Sequence, residues 1–149
     1  MNRKIYSFVF IFMLFVVGFI VLRRPRSVDP LKVKMAKTNL HGSGFGMIAT
    51  NSIKKGELIE QCPLLVEEEK KINGILADYY FAMGNGDGVF PLGYGGIYNH
   101  SFSPNAEFKE INTDKRVMNL RALEPISPGD EITINYGPNY WDSRGIEPN

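Results

Sequence analysis

The chain has 149 residues, 44% of them hydrophobic and 22% charged, with one cysteine. A lone Cys62 excludes a disulfide framework and any cysteine-built zinc cluster. Residues 1–30 carry five basic and one acidic residue while residues 31–149 carry twelve and fifteen, so the formal +1 joins a basic stretch to a body at −3. Such a body argues against direct nucleic-acid binding and allows a cationic partner, although a small acidic surplus also serves solubility. From Leu31 onward 119 residues remain, enough for one core and too few for two full domains.

In chain order, Ile5–Leu22 is an uncharged run of eighteen residues, apolar all round. As a helix it spans roughly 27 Å, close to a hydrocarbon core of about 30 Å. Arg23-Arg24-Pro25-Arg26 follows where a signal peptide would place small residues. Residues 1–24 are therefore expected to form a single-pass transmembrane anchor with basic flanks. The larger basic excess after the span favours a cytosolic body. Residues 25–30, between Pro25 and Pro30, read as a linker.

The body has dense turn signals and short runs between them, which suits strands. Leu31, Val33 and Met35 alternate with lysines as a half-buried strand. Gly46–Thr50 and Glu57–Glu67 are further strands around the Lys55-Gly56 turn. Ile72, Ile75, Leu76, Tyr79 and Tyr80 predict a helix over 72–83. Asn85-Gly86-Asp87-Gly88 lacks the spaced carboxylates of a calcium loop and reads as a tight turn. Met118, Leu120 and Ala122 share one strand face, and Ser127-Pro128-Gly129-Asp130 is a turn. After it, Ile132, Ile134 and Tyr136 fall on one face. Tyr136 is thus a phenol on an apolar surface, needing a hydrogen-bond partner or a task. The fold class is α+β and strand-rich.

Four segments carry possible chemistry, one of them Asp78-Tyr79-Tyr80 on the expected helix, whose aromatics are otherwise plain core. His41-Gly42-Ser43-Gly44-Phe45-Gly46 would let a ligand approach the backbone closely, or is simply a turn between strands. Tyr98-Asn99-His100-Ser101-Phe102-Ser103-Pro104-Asn105 suits a buried polar turn, or an Asx-rich surface one. The third is the strand ending at Tyr136 with Tyr140-Trp141 beyond it. No metal site is expected, since His41 and His100 are the two histidines and Cys62 the one thiol.

In this order and spacing, Gly44-Phe45-Gly46, Asn99-His100-Ser101 with Pro104-Asn105, and Gly129 to Tyr136 resemble the SET-domain protein-lysine methyltransferases over residues 31–142, leaving 143–149 as a tail. The likeness is strongest to the minimal SET proteins of large DNA viruses, through Lys55-Gly56-Glu57-Leu58, Asp78-Tyr79, Leu92-Gly93-Tyr94-Gly95 and Ile132 to Gly137. The resemblance implies a SET (β-clip-like) fold with a C-terminal pseudoknot and S-adenosyl-L-methionine as cofactor. It implies Gly44, Phe45, Gly46, Asn99, His100 and Trp141 as cofactor-binding residues, with Tyr140 and Trp141 at the lysine channel. Tyr136 and Tyr79 would be catalytic, and Ile134, which offers no hydroxyl, would permit more than one methyl per lysine. Many SET enzymes bind zinc through a cysteine after Asn-His-Ser and a cluster beyond the domain. Phe102 stands at that position here, so closure must come from Tyr140 and Trp141 or from a partner subunit. The minimal viral enzymes are dimers, which makes a homodimer compatible with this chain. The expected activity is methylation of a lysine side chain in a protein with a basic tail, a histone foremost. The alternatives are a non-catalytic, membrane-tethered module binding basic peptides, and a methyltransferase for a non-histone membrane or ribosomal protein.

Overall fold

The chain divides into two units, Met1–Pro30 and Leu31–Asn149. The computed structural model describes residues 32–38 and 44–145, all within the second. The expected anchor, the linker, His41 and the last four residues lie outside the described residues. Among the described residues no helix is long and apolar enough to cross a membrane.

Nine strands, two 3-10 turns and one short helix make up the described body. β1 (Val33–Thr38) pairs antiparallel with β2 (Gly44–Ala49), and β3 (Leu58–Glu68) follows the Lys55-Gly56 turn. β4 (Phe81–Ala82) and β5 (Asp87–Pro91) form a tight hairpin, and β6 (Asn99–His100) is two residues long. β7 (Ala106–Asn112), β8 (Val117–Ala122), β9 (Glu131–Ile134) and the helix α1 (Pro138–Asp142) complete the order. One sheet runs β1-β2-β9-β6 and the other β4-β5-β3-β8-β7.

Side-chain alternation explains most of this. Met118, Leu120 and Ala122 are buried along β8 as their spacing requires. Gly129-Asp130 closes its turn through the Asp130 N–H donating to the Ser127 carbonyl. At Asn85–Asp87 the Asn85 side-chain oxygen accepts the Asp87 N–H, an Asx turn. Strand β9 differs, because Ile132, Thr133 and Ile134 are all buried. It lies between β2, antiparallel through Met47 and Ile132, and β6, parallel through Asn99 and Thr133. A strand with neighbours on both edges and cover on both faces cannot keep a polar side, which is why the period of two fades there. Inserting β9 between segments far apart in sequence is also the pairing that a threaded C-terminal strand requires.

Two expectations are corrected. Met35 is 51% exposed, so β1 buries Val33 at its start and little else. No α-helix covers 72–83. Glu69–Lys71 and Gly74–Asp78 are 3-10 turns, separated by Asn73 at φ −150, and β4 begins at Phe81. Gly74 sits at φ +62, outside right-handed helix space. Phe81 gains more by pairing with Val89 and packing edge-on against Phe108, centroids 5.3 Å apart, than by continuing a helix.

The interior has two clusters. The larger joins Met47, Ile53, Tyr98, Leu120, Ile132 and Ile134, with Tyr136 packed against it. The smaller joins Cys62, Leu64, Val89 and Met118, and Phe81 and Phe108 touch both.

Candidate active site

The parallel β6–β9 pairing brings Asn99-His100 beside the strand that leads to Tyr136. Asn105 fixes the alignment. Its amide nitrogen donates to the Glu131 carbonyl at 2.8 Å and its oxygen accepts the Thr133 N–H at 2.9 Å, so one side chain acts as a missing strand. Past Ile134 the chain leaves the sheet, and the Tyr136 N–H donates to Nδ1 of buried His100 at 3.2 Å. That bond selects the tautomer with its proton on Nε2. The Tyr136 hydroxyl donates to the Tyr98 carbonyl at 2.8 Å.

A cavity of about 340 Å³ lies against this phenol. Tyr79, Tyr98, Ile134, Tyr136 and Tyr140 line it, with Asp78 and Arg144 among its polar groups. Burial pushes the Tyr136 hydroxyl up to about 12, with Tyr140 and Tyr79 adding to the effect. At neutral pH it is a protonated phenol and not a base.

Next to the cavity stands an aromatic cluster. The rings of His100 and Trp141 are 4.8 Å apart, those of Tyr136 and Tyr140 4.6 Å, and Tyr136 stacks on Trp141 at 6.0 Å. Pro138 opens α1, which carries Tyr140 and Trp141 back over Tyr136. On the far side of β6, the Asn99 amide donates to the Phe45 carbonyl at 3.0 Å and to the Glu131 carboxylate at 2.7 Å. The same carboxylate accepts from the Thr38 hydroxyl. A methyl group built on Gly46 would overlap both Glu131 and the Asn99 amide, so a side chain here would displace the hydrogen bond between them. Gly44 has open space around it and a φ of +77.

The structure therefore brings Tyr136, Tyr79 and Ile134 together around one cavity. Phe45 and Gly46 meet Asn99, and His100 meets Tyr136 and Trp141, but none of these expected cofactor residues lines that cavity. Four contributors carried no expected role: Glu60, Asn105, Glu131 and Arg144. Asn105 could have been found from its place in the Asn-His-Ser-x-x-Pro-Asn run. Arg144 fell in what reads as a tail, yet its guanidinium lies 3.8 Å above the Tyr140 ring, donates to the Ala77 carbonyl and approaches Asp78 at 3.4 Å.

A family model described as the SET domain matches residues 44–137. The chain belongs to the SET-domain family of protein-lysine N-methyltransferases. Against the histone-lysine N-methyltransferase, H3 lysine-37 specific, of Schizosaccharomyces pombe it is 27% identical over 125 residues, covering 80% of this chain and 82% of that protein. The crystal structure of a Plasmodium falciparum protein assigned as a histone methyltransferase superposes with a TM-score of 0.62 at 39% identity, over 74% of this chain and 96% of the other. A histone-lysine N-methyltransferase of Yarrowia lipolytica is 37% identical over 62 residues, 42% of this chain and 7% of that protein. The named relatives are thus fungal and apicomplexan, and the likeness is not specifically viral.

Aromatic and cationic side chains stand at this cavity: Tyr140 and Arg144 line it, and Trp141 stacks on Tyr136. Phe102, where many SET enzymes have cysteine, is 64% exposed and sets its ring 4.7 Å from His100. Among the described residues no three His, Cys, Asp or Glu side chains converge as metal ligands.

Proposed function

We propose that this SET protein moves a methyl group from S-adenosyl-L-methionine to the side-chain amine of a lysine in a basic protein tail, a histone tail foremost. One observation carries the reading: the protonated Tyr136 hydroxyl is held against the Tyr98 carbonyl in a tyrosine-lined cavity. The two relatives that this chain spans over more than four-fifths of their length are described as histone methyltransferases, and the mildly acidic body suits a cationic substrate.

The residues present fit the cofactor. Gly44 offers uncrowded backbone, and the His100–Trp141 pair offers aromatic faces for a flat, electron-rich ring. Gly44, Phe45 and Gly46 would hold its amino-acid end through backbone groups, with Asn99, His100 and Trp141 at its other parts. S-adenosyl-L-methionine supplies the methyl group on a sulfonium centre.

A lysine amine has an ordinary pKa of about 10.4 and must arrive neutral. The apolar rings of Tyr79, Tyr136 and Tyr140 disfavour the ammonium and help it shed its proton to water. Tyr136 spends its own proton on the Tyr98 carbonyl, which leaves its oxygen free to accept from the amine and fix its line of approach. Two oxygens, of the Tyr136 hydroxyl and the Tyr98 carbonyl, then face the positive charge that the reaction spreads between sulfur and nitrogen. Ile134 adds no hydroxyl to this wall, so di- and trimethyl products are accommodated.

The eighteen-residue uncharged run with basic flanks supports membrane tethering with a cytosolic body, and the threaded C-terminal strand and a homodimer belong to the same reading. The deciding experiment incubates the full chain with methyl-labelled cofactor and core histones and reads products by mass spectrometry. Transfer to lysine that is lost in Tyr136→Phe supports the reading. Cofactor binding without transfer to any protein would replace it with a peptide-binding module.

A further inference from the structure

Glu60 is an acid in the interior. It is 5% exposed on β3, where sequence reasoning gives a charged residue to solvent. A buried carboxylate is costly unless its oxygens are hydrogen-bonded. One oxygen accepts the Tyr94 N–H at 2.9 Å and the other accepts the Tyr98 hydroxyl at 2.8 Å. Gly93 approaches so closely that any side chain there would overlap the carboxylate. Gly95 is likewise confined by Pro91 and by Cys62. The Leu92-Gly93-Tyr94-Gly95 run is thus packed against Glu60, and three residues beyond it stands Tyr98, directly before Asn99-His100.

Tyr98 has two jobs at opposite ends. Its ring, 1% exposed, is anchored by Glu60, and its carbonyl accepts the hydroxyl of Tyr136. We propose that Glu60 is a positioning residue for methyl transfer, holding Tyr98 so that its carbonyl fixes the Tyr136 hydroxyl at the cavity. This rests on the methyltransferase reading of the same site. Glu60 does not line the cavity; it reaches Tyr136 through Tyr98, and its bond to the Tyr94 N–H holds the loop that continues into Gly95 and Gly96 at the cavity. An aromatic ring tied at its hydroxyl cannot tilt freely, so its backbone carbonyl holds one direction.

The test uses the full chain with Glu60→Gln and, from the other side of the same bond, Tyr98→Phe. Glutamine keeps an acceptor for Tyr94 but turns an amide donor toward Tyr98, and phenylalanine keeps the ring while removing the hydroxyl. Each is expected to lower kcat about ten-fold, the worth of one lost hydrogen bond, with the cofactor KM within about two-fold. The double variant should be no worse than the single ones, because both remove one interaction. A readout independent of turnover is the 13Cζ resonance of Tyr136 in tyrosine-labelled protein, which should move in both variants. A lowered melting temperature with kcat and the Tyr136 resonance unchanged would reduce Glu60 to a structural acid and overturn the proposal. If Glu60→Gln does not fold, Tyr98→Phe alone decides by the same two readouts. An inactive wild-type chain would defeat the functional reading, while a shifted Tyr136 resonance would still show the Glu60–Tyr98 brace at work.

Discussion

The two walls of the cavity are built differently. One wall, Tyr98, Ile134 and Tyr136, is packed into the larger core and tied by hydrogen bonds from the Tyr136 hydroxyl to the Tyr98 carbonyl and from the Tyr98 hydroxyl to Glu60. The other, running through the 3-10 turn Gly74–Asp78 to Tyr79, leaves Ile75 73% and Tyr79 47% exposed. It is joined to the C-terminal segment through Arg144, which reaches Ala77, Asp78 and Tyr140. The first wall can hold reacting atoms to a fraction of an ångström, as chemistry requires. The second has little buried surface to hold it and suits admission of a substrate chain. On the proposed reading, rigidity is concentrated where the methyl group moves.

The sharpest way to break this contrast is Tyr136→Phe on the pinned wall. It should lower kcat about 100-fold or more while leaving substrate KM nearly unchanged, measured by initial rates, because the lost oxygen acts on the transition state. Next comes Asn105→Ala, which strips two backbone partners from β9 and should cost about 2 kcal/mol in urea unfolding. A smaller effect is expected on the loose wall. Arg144→Gln should raise the peptide KM about five-fold with kcat within two-fold, since an exposed cation–π and ion-pair contact is worth about 1 kcal/mol. An equal loss of kcat in Arg144→Gln would erase the distinction between the walls.

The smallest effect at neutral pH is the most specific in its pH range. Burial, reinforced by Glu60, pushes the Cys62 thiol from its ordinary 9.0 up to about 12, and Tyr136 rises from 10.0 to about 12. In that window the unfolded chain gives up protons that the folded chain keeps, so stability falls as pH rises from 9 toward 12. Urea midpoints should be flat from pH 7 to 8.5 and decline above 9. Burial and Glu60 raise the Tyr98 hydroxyl above its ordinary 10.0 as well, so Tyr136→Phe should shrink, and not abolish, the part of the decline that begins near 10.

Legibility followed the same divide. β8 and β9 announced themselves by alternation, and the turns at Lys55-Gly56, Asn85–Gly88 and Ser127–Asp130 by residue types with special backbone needs. The exposed wall was misread. Ile72, Ile75, Leu76 and Tyr79 imitate a helical stripe, but Gly74 at φ +62 and the pull of Phe81 into the core override it. Glu60 was silent because its partners, Tyr94 and Tyr98, lie 34 and 38 positions away. A charged letter in a strand says nothing of a distant loop that folds over it. Glu131 was hidden likewise, since its partners Asn99 and Thr38 come near it only in the folded chain.

The insertion of β9 between β2 and β6 has a consequence for how the protein is born. Strands β2 and β9 are separated by more than 80 residues, and β6 must also be in place before β9 can dock on both. Such long-range closure is slow, because its entropy is lost before its contacts are gained. The segment that carries Tyr136 therefore settles last, and until it does the open edge of β2 is exposed to other chains. Trp141, the chain's single tryptophan, lies five residues beyond Tyr136. Its fluorescence should report this late docking, recovering after the backbone circular dichroism when denatured protein is diluted into buffer. Catalytic competence in this enzyme is the final event of folding.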